Sequence, residues 1–267
     1  MTGVLTTDHP AWPEASVGGR VRAVRTASGV WVLSWDRDGL HMSCAVGTED
    51  AKPVVVTADP ACLPEAVPAG LRAGLLGLGS VQRLANPWLW DSITTAILRQ
   101  VVRAGQARKL YRAWCTRYGT TIDTPHGPLA VAPSTEQVLA LDEAQFAEVG
   151  ARFHRSALLA AAKSYEQHCV HWQQMNAADL VDALVTIPRI GPWTASAAAA
   201  DFTGDFSVYP HDDLAVRTWA AQIAPDHDWP DKKDKAFGPM WTGWTGSDHT
   251  ALHTLTLSTL AWGSHAR

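Results

Sequence analysis

The stretch from Ile187 to Phe202, IPRIGPWTASAAAADF, sets an Ile-Gly pair between two prolines and runs at once into an alanine-rich segment. Proline removes a backbone donor and clashes with the preceding turn, so Pro188 stops the amphipathic stretch NAADLVDALVTI. Gly191 permits a left-handed turn, and Pro192 suits the first turn of a new helix, where its missing N–H costs nothing. The chain is thereby confined to helix, tight hairpin, helix. The second helix begins with free backbone amides, an anion site that fits a nucleic-acid phosphate held without regard to base sequence. An αα-hairpin that only packs would use the same residues.

The rest of the chain bounds the architecture around that hairpin. Its 267 residues, 46% hydrophobic and 18% charged, suffice for one sizeable core or two smaller ones. No apolar run reaches the ~18 residues of a membrane span, and MTGVLTTDHPAW lacks a signal pattern, so a cytoplasmic, non-membrane protein is expected. Cys44, Cys62, Cys115 and Cys169 stand far apart with no C-x-x-C pair, which predicts buried thiols rather than an iron–sulfur or zinc loop. A net charge of -4 means that any nucleic-acid binding must rest on local patches.

From Gly19 to Thr57, RVRAVRTASG, VWVLSWDRDG and LHMSCAVG alternate apolar and polar residues around turns at Ser28-Gly29 and Asp38-Gly39. They predict a small antiparallel sheet with one face on helices, and PVVVTADP reads as its fourth strand. From Asn86 the pattern is helical. The fold class expected is therefore α+β, mainly α: a small antiparallel β domain over 1–70, then a helical domain over 71–267. The helix-hairpin-helix falls at about 177–201.

After the hairpin comes DFTGDFSVYPHDDLAVRTW, whose segment 209–217 holds Asp212 and Asp213 at the start of another helix. An aspartate there is often a helix cap, and a cap can also serve as a catalytic carboxylate. The three segments IPRIGPWTA, YPHDDLAVR and AILRQVVRAGQARKL, in this order and spacing, resemble the helix-hairpin-helix DNA glycosylases, in particular the 3-methyladenine DNA glycosylase II (AlkA-like) branch. The resemblance covers roughly Asn86 to Arg217.

That resemblance implies a monofunctional DNA glycosylase of base excision repair. It would flip an alkylated purine out of damaged double-stranded DNA and hydrolyse its N-glycosidic bond. Asp213 matches the catalytic aspartate and Asp212 its neighbour. Trp193 stands where lyase-competent members carry a lysine, so no AP-lyase activity is expected. Gln100 and Val101 match the residues that enter the duplex gap, with Val101 a small wedge. Arg189, Ile190, Gly191 and Thr194 fall in the DNA-gripping hairpin, where Arg189 replaces a glycine. Ala197 and Leu214 stand where close members carry tyrosines, which implies a wider pocket and bulkier lesions. Trp241 and Trp244 fall near the pocket tryptophans, with core filling as their alternative. The family implies no cofactor and no iron–sulfur cluster, although hairpin carbonyls could hold a monovalent cation. The implied protein is a monomer.

Three further patterns bear on function. A helix from Ile97 to Tyr118 carries Arg99, Arg103, Arg108, Lys109, Arg112 and Arg117 without an acidic residue, and could track a phosphate backbone or simply face solvent; Arg99 and Arg103 are the DNA candidates. Lys232, Lys233 and Lys235 interleave with aspartates and read as a solvated loop. Trp88, Trp90 and Trp114 sit at helical spacing and read as core. His249 and His253 have a metal-ligand spacing, but no Glu follows His249 and no third ligand is evident; His211 beside two aspartates is a weaker option still. Two other functions use the same features: a non-catalytic helix-hairpin-helix DNA-binding protein, or an N-glycosidase for a modified nucleoside.

Overall fold

The computed structural model describes residues 4–15, 18–231 and 235–265. Lys232 and Lys233 of the expected solvated loop lie outside the described residues; Lys235 is exposed. In chain order the elements are β1 (Val4–Leu5), β2 (Arg20–Thr26), β3 (Gly29–Asp36), β4 (Gly39–Gly47), β5 (Val55–Ala58), α1 (Ala69–Leu78) and β6 (Val81–Leu84). There follow α2 (Leu89–Leu98), α3 (Ala104–Tyr118), β7 (Thr120–Ile122), β8 (Leu129–Val131), α4 (Thr135–Ala140), α5 (Glu143–Glu148) and α6 (Arg155–Trp172). The remainder is α7 (Ala177–Val185), α8 (Pro192–Thr203), α9 (Leu214–Ile223), α10 (Phe237–Gly243) and α11 (His249–His265). This is the α+β, mainly helical class, with a small antiparallel sheet near the start and helices after it.

By packing, the chain divides into two compact units, at other points than a single boundary near residue 70. One, here the discontinuous unit, runs up to Asp8, through Val55–Leu84, and from Gly204 onward; the other, the hairpin unit, takes His9–Val54 and Ala85–Thr203.

In the discontinuous unit, β6 lies between β1, to which it is parallel, and β5, to which it is antiparallel. PVVVTADP therefore does form a strand, but not the fourth strand of the N-terminal meander. Its partner is VQRL at Val81–Leu84, a four-residue run with a polar centre that sequence patterning passes over. Fully buried Trp241, Phe237 and Phe206 fill the core, and the Trp241 indole donates to Thr256 Oγ1 at 3.1 Å. Gly263 on α11 has no Cβ because the Trp219 ring occupies that space.

In the hairpin unit, β2, β3 and β4 form an antiparallel meander with Thr26 opposite Gly29 and Asp36 opposite Gly39. Both faces of β2 are covered, not one. Val21 and Ala23 pack with Val30, Val32, Leu129 and Val131, so the β7–β8 hairpin closes that face. Arg22 points the other way, toward α2.

Helix α2 is buried along its whole length. Its polar side chains must then find partners inside, because an unpaired buried polar group costs about 1–3 kcal/mol. They do so in one network. Asp91 accepts from Tyr111 Oη at 2.7 Å and Asn86 Nδ2 at 2.9 Å, and pairs with Arg22 Nη2 at 3.4 Å. Asn86 Nδ2 also reaches Asp201 of α8 at 3.0 Å, as does Ser92 Oγ at 2.8 Å. His9 Nε2 meets Thr95 Oγ1 at 3.0 Å while its Nδ1 accepts from Ala11 N–H at 3.1 Å. Burial raises Asp91 above the usual carboxylate range although Arg22 opposes it, and burial beside Asp91 pushes Tyr111 well up, which keeps its hydroxyl a donor. The network joins β2 and the His9 segment to α2, α3 and α8.

Of the cysteines, Cys115 alone is buried; Cys44 and Cys169 are half-buried and Cys62 is exposed, all free. Trp90 and Trp114 are core residues, whereas Trp88 is half-buried with the Arg25 guanidinium 4.7 Å from its ring centre. Among the described residues no helix is long and apolar enough to cross a membrane.

Candidate functional site

Helix α7 is capped by Asn176, whose side chain accepts from Asp179 N–H at 2.9 Å. The chain then turns through Thr186–Gly191, and α8 begins at Pro192, as the sequence predicts. Ile187 and Ile190 are buried and clip the turn, with Ile190 N–H donating to Ile187 O at 3.0 Å. The left-handed residue is not Gly191. It is Arg189, at φ 71° and exposed. A side chain in that conformation costs on the order of 1 kcal/mol. The turn keeps it because Arg189 O accepts from Gln100 Nε2 at 3.3 Å. Hairpin carbonyls that could hold a monovalent cation are partly engaged: Ile187 O, Arg189 O and Gly191 O accept from Ile190 N–H, Gln100 Nε2 and Ala195 N–H.

The predicted helix from Ile97 to Tyr118 is two helices. α2 ends at Leu98 and α3 starts at Ala104, with Arg99 and Arg103 as the flanking caps. Between them Val101 sits at φ 60° and is 89% exposed, a combination no packing requirement explains for a β-branched residue. The break is imposed from outside. Gln100 Nε2 binds buried Thr194 Oγ1 at 2.8 Å as well as the hairpin carbonyl, and Gln100 O meets His154 Nε2 at 3.3 Å. Burial lowers His154 below the usual imidazole range, so the neutral ring donates through Nε2. Of the two expected gap residues, then, Val101 is presented outward while Gln100 stitches the loop to the hairpin.

The cations separate by their partners. Arg112 donates to Pro10 O and Trp12 O, and Arg117 pairs with Glu148 at 2.8 Å. Arg99 lies over the half-buried Trp193 ring, 5.5 Å from its centre, covering one face of it. Arg103, Arg108 and Lys109 are exposed.

In the discontinuous unit, Asp213 is the N-cap of α9: it is half-buried and its Oδ1 accepts from Ala215 N–H at 2.7 Å. Asp212 is turned to Arg217, with Oδ1 2.8 Å from Nη2, and its carboxylate packs on the bare Cα of Gly238. Arg217 also donates to Asp231 O at 3.2 Å and lies 4.7 Å from the Phe237 ring centre. A cavity of about 360 Å³ opens beside it, lined in part by Arg217, Trp229, Pro230 and Phe237. Half-buried Trp229, stacked on the buried Phe237 ring, is an aromatic surface that no motif pointed to.

The remaining expected pocket residues divide. Leu214 is 64% exposed, and Trp244 is half-buried against Trp229 and His227. Trp241 is fully buried and belongs to the core, and Ala197 is also buried and offers no open surface. His253 is spent on structure, its Nδ1 accepting from Phe206 N–H at 3.0 Å. Among the described residues no group of three His, Cys, Asp or Glu side chains could hold a metal.

No family model matches the chain. The probable bifunctional transcriptional activator/DNA repair enzyme AlkA of Mycobacterium tuberculosis is 26% identical over 241 residues, covering 82% of this chain and 47% of that protein. Among solved structures, a 3-methyladenine DNA glycosylase from Archaeoglobus fulgidus aligns with a TM-score of 0.72 at 16% identity, over 96% of this chain and 91% of that one. The chain is thus similar in sequence to an AlkA protein and shares the fold of the helix-hairpin-helix DNA glycosylases. The fold is shared also with a Clostridium acetobutylicum 8-oxoguanine glycosylase/lyase in complex with double-stranded DNA containing cytosine opposite to 8-oxoG (TM-score 0.70, 14% identity, 96% of this chain and 88% of that one). The chain spans about half the length of the curated relatives it matches.

Proposed function

We propose that this protein is a monofunctional DNA glycosylase that releases alkylated bases from damaged duplex DNA. The observation that carries the reading is the Asp213 carboxylate at the head of α9, in sequence register with a hairpin of the superfamily's form. A stacked base is out of reach of any side chain, so the nucleotide is first extruded. The hairpin amides and exposed Arg103 take the phosphates, and Val101 enters the space left behind. N-glycosidic cleavage develops positive charge on the sugar, which the Asp213 anion stabilises while it orients the attacking water. An alkylated purine already carries positive charge and leaves without a strong general acid. Position 193 holds tryptophan rather than lysine, so no amine is available there for a covalent Schiff base and strand cleavage is not expected. Leu214, exposed where close relatives carry tyrosine, supports a site open to lesions bulkier than a methyl group.

The test is base release from randomly methylated duplex DNA, read by chromatography, for wild type beside Asp213→Asn. Release of methylated purines by wild type, cut by about 10²–10³-fold in the variant with binding to an abasic-site mimic retained, is the expected result. Equal release by both would remove Asp213 from the chemistry. Absence of both release and DNA binding in wild type would overturn the glycosylase reading.

A further inference from the structure

Resting on the glycosylase reading, we propose that Arg99 selects among alkylated bases by charge, weighting the protein toward neutral adducts and against ring-alkylated cations. Two neighbouring contacts join the end of α2 to the start of α8. Gln100 Nε2 lies 2.8 Å from Thr194 Oγ1, and one residue back on each side the Arg99 guanidinium lies 5.5 Å from the centre of the Trp193 ring. Arg99 N–H closes the last turn of α2 on Ala96 O at 3.3 Å, and α2 is buried along its length. The backbone that carries the guanidinium is therefore fixed, and so is the helix start that carries the ring.

The place of this pair decides what it meets. Val101, two residues beyond Arg99, takes the space of the extruded nucleotide, and Trp193 stands in the first turn of α8, where the hairpin amides take a phosphate. A base turned out between those points meets the half-buried Trp193 ring. An indole face attracts a cationic base, but this one already carries a guanidinium. A ring-alkylated purine cation must displace Arg99 or share the ring with it at like charge, and either way loses most of that attraction. A neutral adduct stacks through its apolar surface, which the guanidinium leaves intact. The same charge helps a neutral base to leave. As its C–N bond breaks, the electron pair goes to the base nitrogen, water forms the new bond to the sugar carbon, and the water proton follows to the base. A guanidinium beside the base stabilises the anion that develops meanwhile. A cationic purine departs as a neutral molecule and gains nothing from it.

The experiment measures single-turnover base release by the full chain from duplexes holding either one 7-methylguanine, a cation, or one ethenoadenine, a neutral adduct. The two bonds differ in intrinsic lability, so the readout is the neutral-to-cationic ratio of rates in each variant relative to wild type. Arg99→Gln and Arg99→Ala should lower that ratio about tenfold, the size of a cation–π contact, whereas Arg99→Lys should stay within about threefold of wild type. Should Arg99→Ala lower the thermal midpoint, the comparison of Arg99→Gln with Arg99→Lys decides alone. An unchanged ratio in Arg99→Gln, or release of 7-methylguanine but no ethenoadenine by wild type, would overturn the inference and leave the glycosylase reading in place. Weaker binding of Arg99→Gln to undamaged duplex with the ratio unchanged would do the same, by assigning Arg99 to a phosphate. Release of neither base by wild type would overturn the inference, and failure to bind DNA as well would overturn the glycosylase reading.

Discussion

Replacing Arg22 by leucine tests whether the buried network is held by charge or by shape. Arg22 is 1% exposed and its Nη2 lies 3.4 Å from Asp91 Oδ2. At that separation and an effective dielectric of about 20, the attraction is about 5 kcal/mol. Leucine keeps the aliphatic bulk but leaves Asp91 with Tyr111 and Asn86 as donors, His9 Nε2 at 3.7 Å, and Asp201 as a like-charged neighbour. Breaking a buried pair from one side costs about 3–5 kcal/mol, so a loss of that size is expected at pH 8. The loss depends on pH in a defined direction. Burial already raises Asp91 in the folded chain, and removing its main opposing charge raises it further. The penalty for a raised carboxylate is fully present above its folded titration point and fades as pH falls toward the ordinary value of 3.8. Urea denaturation followed by tryptophan emission, at pH 8 and pH 5, should therefore show the difference from wild type shrinking in acid, by up to about 1.4 kcal/mol per pH unit. Adding Asp91→Asn to Arg22→Leu should recover part of the loss at pH 8. A difference that is the same at both pH values, or below about 1 kcal/mol at pH 8, would refute the argument that Arg22 is there to neutralise Asp91.

Two other changes follow from the same geometry. Arg103→Ala should weaken binding to all duplex sequences alike and reduce the salt slope of log K by about one charge, measured by fluorescence anisotropy from 50 to 300 mM salt on the order of magnitude set by counterion release; an unchanged slope would remove Arg103 from the interface. Arg189→Gly relieves the φ of 71° and should raise the midpoint of denaturation, by no more than about 1 kcal/mol after the added freedom of glycine in the unfolded chain. A lowered midpoint would show that the Arg189 side chain, not the turn, is what holds the hairpin.

Residues whose roles depend on local chemistry were legible in the amino-acid sequence; those defined by distant partners were not. Pro188, Pro192 and Asn176 mark the hairpin because caps and prolines act within a few residues. Asp213 shows itself as a helix start for the same reason. The meander turns follow from Gly29 and Gly39. By contrast, nothing in AILRQVVRAGQARKL announces a break at Val101, because the break comes from Gln100 reaching the hairpin and His154. Arg189 taking the left-handed role in place of Gly191 has the same origin. Arg22, Asp91 and Asp201 look like unrelated polar residues in apolar stretches, and only the fold brings them together. A hint was present in LWDSITTAIL, where an aspartate within one helical turn of Leu89, Trp90 and Ile93 needs an internal partner.

The order of the units along the chain has a consequence for how the protein is made. Strand β1 pairs with β6 across the whole of the intervening segment, and α9, α10 and α11 follow only after α8. On the ribosome the hairpin unit is complete at Thr203, while the unit that begins and ends outside it still lacks every helix beyond α1. Of the two units, the one bearing Asp213 is completed after the other. A chain cut short before Gly204 would carry the hairpin without Asp213, the carboxylate to which the proposed function assigns cleavage.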